Sequence, residues 1–498
     1  MTDIEIKFLK EKYNFELIET HISWVLLGED YVYKIKKPVD FGFLDYTTLD
    51  KRLEFCKKEV ELNKRLADEI YLGVSRIVKK NNELLIDENG KTVEYAVKMK
   101  KMPQNRMMDV LIENNKIELS YIDALALKIA NFHKTARTDE YISSFGSVEA
   151  NKFNTDENFS QTKGGVGEYI TQFQYDAIRQ YTDEFYKINA ELFEKRIREK
   201  KIRDCHGDMY SKNICIIDSE HIYVYDCIEF NERFRYSDVA SDVAFLLMDL
   251  ENYGKWELSE AFLNAYLNYS ADKSMAEVLD FYKVYRAYVR GKIAFFQSNA
   301  FEANRYFDLA FGYLPQKYKP TVIVMCGLTG SGKSFIAEHL KEKFNLAHLN
   351  TDIIRKELAG IDSHQKIIVD YNSDIYSQNF SKKVYEEMIN RAYNFVREGR
   401  GVILDGTFLM ESYRKKVFDR FRRLGIEPVV VCVEIEKNEA IKHFEQRKKQ
   451  KSVSDGRLEI FEKQKEIFQK PKEAIFVNGS WSIDEIMNEI ESGLGGGV

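Results

Sequence analysis

Residues 204–216 read DCHGDMYSKNICI and bring a histidine, an aspartate and an asparagine into one short stretch. Asp208 follows His206 by two positions, and Asn213 follows Asp208 by five. A kinase catalytic loop needs an aspartate to orient and deprotonate the acceptor hydroxyl, and an asparagine a few residues later to hold a metal ion. Asp226, at the end of the apolar run IYVYD, adds a carboxylate suited to Mg2+. The spacing predicts a phosphotransferase centre in which Asp208 is catalytic and Asn213 and Asp226 are metal ligands.

A lysine that pairs with the nucleotide phosphates is expected upstream of that loop. Lys34 in YVYKI is the candidate, and Lys36 lies on the same strand face as the alternative. Glu59, in the helical run CKKEVELNKRL, is the predicted partner of the lysine, with Glu61 as its alternative. Gly28 is the one glycine in SWVLLGEDYVYKI, where kinases often carry several. The residues predict that Lys34 and Glu59 form an ATP-binding pair. The sparse glycines leave open the alternative that this domain binds nucleotide without transferring phosphate.

A second phosphate-binding motif, GLTGSGKS, begins at Gly327 and matches the pattern G-x-x-x-x-G-K-[ST]. It follows the apolar run VIVMC and precedes the helical run SFIAEHLKEKF, which is the context that the motif requires. Glycines let backbone N–H groups close on phosphates at the positive end of a helix. Lys333 is expected to reach the terminal phosphates and Ser334 to ligate Mg2+. The predicted ATP-binding residues here are Gly327, Gly330, Gly332, Lys333 and Ser334.

Two further stretches complete the second centre. GVILDGTF places Asp405 at the end of an apolar strand, where it is expected to join the magnesium site, or else to be a plain turn residue. LNTDIIRKELAG places Asp352 about twenty residues beyond the phosphate loop, at a strand-to-helix junction, with Arg355 one turn later. The simpler alternative for Asp352 is that it caps its helix.

Several other charged residues have structural or supporting interpretations. Arg447 in KHFEQRKKQK either closes on the phosphates as part of a lid or belongs to a solvated basic helix face. Arg414 in ESYRKK is a weaker candidate to face the acceptor. Asp238 and Asp242, four residues apart on a helix, are expected to support the loop around Asp208 rather than to do chemistry. His133 is expected to be a packed helix residue.

The elements that must position these residues fall into two parts. The first hundred residues alternate in hydrophobicity around one helix, and residues 105–313 are mainly helical, interrupted by the hairpin-like run ICIIDSEHIYVYDCIEF. Two prolines bracket LPQKYKP at 315–320, a predicted linker. After it, apolar strands alternate with amphipathic helices. The predicted domains are 1–314, an α+β protein-kinase-like fold with a small sheet lobe and a helical lobe, and 321–498, an α/β P-loop fold with a parallel sheet.

The composition limits the function classes. A chain of 498 residues with 44% hydrophobic and 31% charged residues is long enough for two or three globular domains. A net charge of −6 argues against a dedicated nucleic-acid coat. The six cysteines are scattered singly, which fits neither a zinc site nor a disulfide framework and indicates a reducing cytoplasm. We expect no signal peptide, no membrane span and no obligate protein partner.

Two family resemblances follow from these motifs. Residues 20–310 resemble the aminoglycoside-phosphotransferase-like branch of the kinase fold, with HGD in place of the protein-kinase HRD and DCIEFN in place of DFG. This resemblance implies phosphorylation of small-molecule hydroxyls with ATP and Mg2+. Residues 321 to about 470 resemble P-loop kinases of the polynucleotide-kinase and zeta-toxin type, in the AAA-type ATP-binding family. That resemblance implies that Asp352 activates the acceptor hydroxyl and Arg355 grips the substrate.

The whole chain resembles bacterial proteins that join these two domains, and three hypotheses follow. The chain is a bifunctional ATP-dependent kinase whose second acceptor is a polynucleotide 5′-hydroxyl of RNA or DNA, a nucleotide or a sugar. Alternatively, only the P-loop domain is catalytic and the N-terminal domain is a regulatory or substrate-binding pseudokinase. In the third hypothesis the chain is a nucleotide-sensing interaction protein with slow ATP hydrolysis. The intact motifs favour the first.

Overall fold

The computed structural model of the protein describes residues 1–42, 44–362, 374–448 and 458–494. The chain divides into two compact units, one of residues 1–161 and 182–290 and the other of residues 162–181 and 291–498. Residues 162–181 and 291–314 thus group with the second unit, whereas the sequence pattern placed them before the linker. The domain boundaries 1–314 and 321–498 stay a prediction.

The first unit begins with a six-stranded antiparallel sheet and two helices. Its elements are α1 (Asp3–Lys12), β1 (Glu16–Glu19), β2 (Ser23–Leu27), β3 (Tyr31–Lys36), α2 (Leu49–Ala67), β4 (Tyr71–Lys80), β5 (Glu83–Ile86) and β6 (Lys91–Lys100). The strand order is β1-β2-β3-β6-β4-β5. Thr48 caps α2, whose apolar residues pack on β3, β4 and β6. The helix α2 therefore faces the strand that carries Lys34 and Lys36.

Helices and two short pairs of antiparallel strands follow. The elements are α3 (Met108–Glu113), α4 (Leu119–Thr135), α5 (Glu140–Ser144), α6 (Val148–Thr162), α7 (Gln172–Ile188), α8 (Ala190–Arg198), β7 (Ile202–Asp204), β8 (Ile214–Ile216), β9 (Ile222–Val224), α9 (Glu232–Arg235), β10 (Tyr236–Asp238), α10 (Val239–Asn252), α11 (Trp256–Ser270), α12 (Met275–Phe296) and α13 (Ala300–Gly312). Strands β8 and β9 pair antiparallel, which confirms the predicted hairpin, and β7 pairs with β10. Every residue of α10 is buried.

The C-terminal part alternates strands and helices around a five-stranded sheet. The elements are β11 (Val322–Cys326), α14 (Lys333–Phe344), β12 (Ala347–Asn350), α15 (Thr351–Leu358), α16 (Gln378–Arg397), β13 (Val402–Asp405), α17 (Glu411–Phe421), β14 (Val429–Glu434), α18 (Lys437–Lys448), α19 (Leu458–Ile467), β15 (Ile475–Asn478) and α20 (Ile483–Gly493). The strand order is β12-β13-β11-β14-β15, and all pairs are parallel. The predicted parallel α/β domain is confirmed, with β11 at its centre.

One helix was missing from the sequence interpretation. The predicted single helix of the first hundred residues is α2, but α1 precedes it. Thr2 and Glu5 form a capping box at the start of α1, and Ile6 and Leu9 are buried against the sheet. The other two apolar residues of this helix, Ile4 and Phe8, are exposed, so its apolar residues do not follow a clear 3.6-residue period. None of the helices in the described ranges is long and apolar enough to cross a membrane.

Candidate functional site

The phosphate loop joins the end of β11 to the start of α14, and three of its glycines have left-handed backbone. The φ angles are +133° at Gly327, +84° at Gly330 and +96° at Gly332. A Cβ atom on Gly327 would lie 2.4 Å from the carbonyl oxygen of Val433, and one on Gly330 would lie 2.6 Å from the ring of Phe444. A side chain at the first two positions would therefore collide with neighbours as well as strain the backbone.

Lys333 and Ser334 are the first two residues of α14, directly after this loop. The Lys333 ammonium is buried and donates to the Leu328 carbonyl at 2.7 Å, so the loop is closed around the lysine. The hydroxyl of Ser334 lies near enough to Asp405 to favour the charged form of its carboxyl group. Burial opposes the charge on Asp405, but hydrogen bonds from His348 and Ser334 outweigh it and lower the pKa of this carboxyl. Asp405 is thus held ionised beside the loop.

Two polar residues of β12 hold Asp405 from the other side. His348 Nε2 lies 3.1 Å and Asn350 Nδ2 lies 2.6 Å from Oδ2 of Asp405. His348 also contacts Glu338 through Nδ1 at 3.0 Å. Sequence reasoning missed His348 and Asn350. The available signal was the polar alternation in the otherwise apolar strand AHLN.

Asp352 lies in the first turn of α15 and is half-buried. The N-cap of this helix is Asn350, whose Oδ1 accepts the N–H groups of Asp352 and Ile353. The alternative that Asp352 caps the helix is therefore wrong. Arg355, one turn later, donates to the Ile375 carbonyl at 2.6 Å and to the Ser381 hydroxyl at 3.1 Å.

Arg414 and Arg447 are the other two arginines that the sequence suggested for the P-loop centre. Arg414 is buried and donates to the carbonyls of Phe408 and Gln469, both at 2.6 Å. It braces the loop after β13, and the weaker expectation that it faces an acceptor stays a prediction. Arg447 lies in α18, but its side chain lies outside the described residues.

The loop between β7 and β8 carries the first predicted centre. Asn213 Nδ2 donates to the carboxylate of Asp208 at 3.0 Å and to its backbone carbonyl at 2.9 Å. Burial raises the pKa of Asp208 to about 6, with a further contribution from the charge of Asp226, while the nearby Arg290 and Arg286 oppose the shift. A carboxyl with a pKa near neutrality is suited to accept a proton at physiological pH.

Both candidate lysines of β3 reach the same carboxylate. Glu59 of α2 lies 2.9 Å from Lys34 Nζ and 2.6 Å from Lys36 Nζ. Lys34 also lies 2.5 Å from Asp226, and Lys36 forms an ion pair with Glu229. Burial opposes ionisation of Glu59, but the two ammonium groups outweigh it and lower its pKa to about 2. The alternative, Glu61, is exposed.

These contacts leave the two lysines with different surroundings. Lys36 is 1% exposed and enclosed, whereas Lys34 faces Asp226, whose side chain is 43% exposed. Asp226 has a φ of +63°, a left-handed conformation that aspartate tolerates better than most residues. Lys34 is therefore paired with the buried carboxylate of Glu59 on one side and with the partly exposed carboxylate of Asp226 on the other.

Helix α10 supports the loop that contains Asp208. The Asp242 carboxylate accepts the N–H groups of His206 at 2.7 Å and Gly207 at 2.9 Å. Asp249, two turns later on the same helix, accepts the N–H of Ser211 at 2.9 Å. Sequence reasoning missed Asp249, although its seven-residue spacing from Asp242 gave a signal.

Asp238, which was expected to support this loop together with Asp242, acts elsewhere, and His133 is packed behind Asp242. Asp238 caps α10 and pairs with the buried Arg196, so it does not hold the loop directly. His133 is buried as predicted and contacts Tyr266 at 2.8 Å. Its Nε2 lies 3.4 Å from Asp242, and it therefore backs the carboxylate that holds the loop.

A protein-family model described as an AAA domain matches residues 322–471. Together with the glycine loop, Lys333 and the parallel sheet, this match defines a P-loop nucleotide-binding domain. Over a longer span the chain is 32% identical across 398 residues to the uncharacterized protein Rv2004c of Mycobacterium tuberculosis (strain H37Rv), covering 78% of each chain. A Mycobacterium bovis protein, Mb2027c, matches to the same extent. The chain belongs to the family of these mycobacterial proteins.

More distant similarities are confined to part of the chain. Human adenylate kinase isoenzyme 5 is 28% identical over 130 residues, which cover 26% of this chain and 22% of that one. The crystal structure of a gluconokinase from Sinorhizobium meliloti 1021 superposes with a TM-score of 0.27 at 20% identity, covering 35% of this chain and 91% of that chain.

Proposed function

We propose that the protein is an ATP-dependent phosphotransferase with two centres, each of which transfers the γ-phosphate of ATP to a hydroxyl acceptor. The observation that carries this proposal is that each unit holds its own lysine and carboxylate set. In the first unit the set comprises Lys34, Asp208 and Asp226, and in the second it comprises Lys333 and Asp405. A chain that served one reaction would need only one such set.

At the P-loop centre, the backbone N–H groups of the glycine loop and the start of α14 would hold the phosphates. Lys333 would pair with the terminal phosphates, and the Ser334 hydroxyl and Asp405 carboxylate are oxygen donors of the kind that Mg2+ prefers. Bound Mg2+ would neutralise the charge that develops on the transferred group. Asp352 would take the proton of the acceptor hydroxyl, and Arg355 would bind the acceptor.

The acceptor of this centre is proposed to be a nucleotide, a sugar or a polynucleotide 5′-hydroxyl. Partial similarity to adenylate kinases supports a nucleotide among these classes. Pocket shape rather than the phosphate motif decides among them. Closure by Arg447 is a proposal of the same kind, since its side chain lies outside the described residues.

At the first centre, an aminoglycoside-phosphotransferase-like kinase domain is proposed to act on a small-molecule hydroxyl. Asp208 would accept the hydroxyl proton, and its pKa of about 6 supports that role. Asn213 and Asp226 supply oxygen atoms suited to Mg2+. Lys34, oriented by Glu59, would pair with the nucleotide phosphates. The placement of α2 beside β3, with Glu59 touching Lys34 at 2.9 Å, supports this kinase-like arrangement.

The test is transfer of labelled γ-phosphate from ATP to a pool of RNA 5′-hydroxyl ends, nucleotides, sugars and other small-molecule hydroxyls. The intact chain is compared with Asp208→Ala and Asp352→Ala. Matched controls are Asp280→Ala, whose side chain is 70% exposed, and Asp419→Ala, which is exposed on α17. We expect each active-site variant to lose a different labelled product, while both controls behave as the wild type.

Other outcomes would favour the alternatives. If Asp352→Ala abolished all labelling while Asp208→Ala changed nothing, the N-terminal domain would be a regulatory or substrate-binding pseudokinase. If the wild type released phosphate slowly and labelled no acceptor, the protein would be a nucleotide sensor. Either result would contradict the two-centre proposal.

A further inference from the structure

Asn350, the last residue of β12, uses both ends of its side-chain amide. Its Oδ1 accepts the backbone N–H of Asp352 at 2.8 Å and that of Ile353 at 3.3 Å. Its Nδ2 donates to Oδ2 of Asp405 at 2.6 Å. Because one end must accept and the other must donate, these contacts set the orientation of the amide.

The sheet brings these groups together. In the parallel pairing of β12 with β13, Asn350 lies opposite Asp405, and Asp405 lies opposite Met325 of β11. The carboxyl ends of three strands therefore meet at one edge, next to the phosphate loop. His348 contacts the same Asp405 oxygen as Asn350 does. Asp405 is 2% exposed, so its charge depends on such hydrogen bonds rather than on water.

We infer that Asn350 is a positioning residue that couples the magnesium-side carboxylate Asp405 to the acceptor-side helix that carries Asp352. The inference rests on the proposed function of the P-loop centre. One amide group caps α15 and thereby orients its first turn, where Asp352 lies. The same amide holds the Asp405 carboxylate through the 2.6 Å hydrogen bond to its Oδ2. A single planar group thus keeps the metal side and the acceptor side of the centre in register.

Two substitutions separate this role from simple helix capping. Asn350→Ser and Asn350→Asp both keep a side-chain oxygen that caps helices about as well as asparagine does. Neither retains the long amide donor, and Asn350→Asp also places a second carboxylate beside Asp405. If Asn350 were only a cap, both variants would behave as the wild type. Asn350→Ala, which removes the cap as well, would then be the only defective variant.

The coupling role predicts a different pattern. Partners that orient metal ligands typically contribute a factor of about 10 to 100 in metal affinity or activity. We therefore expect Asn350→Ser to raise the Mg2+ concentration needed for half-maximal turnover by about ten-fold and also to lower kcat. Asn350→Asp is expected to need still more Mg2+ for half-maximal turnover and to have a lower kcat than Asn350→Ser. Asn394→Ser, on the exposed face of α16, is the control and is expected to match the wild type.

The experiment uses the full-length chain and has a readout besides turnover. Binding of ADP is measured by calorimetry with Mg2+ and with a chelator, and the component that Lys333→Met abolishes is assigned to the P-loop. We expect Mg2+ to strengthen this component in the wild type and to strengthen it about ten-fold less in Asn350→Ser. Equal dependence on Mg2+ in the two proteins would overturn the inference.

The experiment can refute the proposed function without refuting the inference about Asn350. If the wild type binds Mg2+ and ADP together but transfers no phosphate, the proposed function fails, and the calorimetric comparison still decides the role of Asn350. If Mg2+ leaves ADP binding at the P-loop unchanged in the wild type, Asp405 has no metal-side role and the inference about Asn350 is overturned.

Discussion

Replacing Asp208 with asparagine is expected to stabilise the ligand-free protein while it abolishes the transfer that we propose for the first centre. Burial shifts the pKa of this carboxyl from 3.8 to about 6, so the folded protein favours its neutral form. Each pH unit of such a shift corresponds to about 1.4 kcal/mol. Ionised Asp208 therefore costs about 3 kcal/mol of folding free energy above pH 6, and Asp208→Asn removes that cost.

The direction in which wild-type stability changes with pH follows from the number of protons bound in the folded and unfolded states. Below about pH 3.8 the carboxyl is protonated in both states and the cost is absent. Between about pH 3.8 and 6 the unfolded chain loses this proton while the folded protein keeps it, so wild-type stability falls as the pH rises. The advantage of Asp208→Asn is expected to be about 1 kcal/mol near pH 4.5 and about 3 kcal/mol near pH 7.5.

Urea unfolding of the wild type and Asp208→Asn at these two pH values measures the difference, with the exposed Asp280→Asn as the control. The transition of the first unit is followed by hydrogen exchange of the buried amides of α10, because a chain with two units need not unfold in one step. A variant less stable than the wild type near pH 7.5, or an advantage independent of pH, would refute the reasoning. The activity proposed for the first centre should also rise with pH through about 6, because Asp208 must be ionised to act as the proposed base.

Two further substitutions test the packing of the centres. Gly330→Ala is expected to weaken ATP binding at the P-loop at least about ten-fold in calorimetry, because its Cβ would lie 2.6 Å from the Phe444 ring and its φ is +84°. Lys36→Met is expected to lower the free energy of unfolding by about 3–5 kcal/mol in urea titrations, because it leaves the buried carboxylates of Glu59 and Glu229 short of a partner. Gly164→Ala, with no atom near its added Cβ, and Lys10→Met on the exposed face of α1 are the controls. Unchanged ATP affinity in the first case, or a loss under about 1 kcal/mol in the second, would contradict these interpretations.

The amino-acid sequence by itself determined the P-loop and the α/β class of the C-terminal part. Residues 327–334 and the apolar runs around them are local features, and local backbone geometry depends on few neighbours. The hairpin of β8 and β9 was predictable for the same reason. The short helix α1 was not, because its stability depends on burial of Ile6 and Leu9 against a sheet formed by later residues.

Only the tertiary structure decided which side chains meet. Strand order and register bring Asn350 and His348 of β12 to Asp405 of β13, and no spacing along the chain encodes a contact across 55 residues. Packing of α2 on the first sheet makes Glu59 rather than Glu61 the partner of both lysines. The sequence supplied the chemical groups and their local frames, while burial and the pairing of distant strands set their distances and their charges.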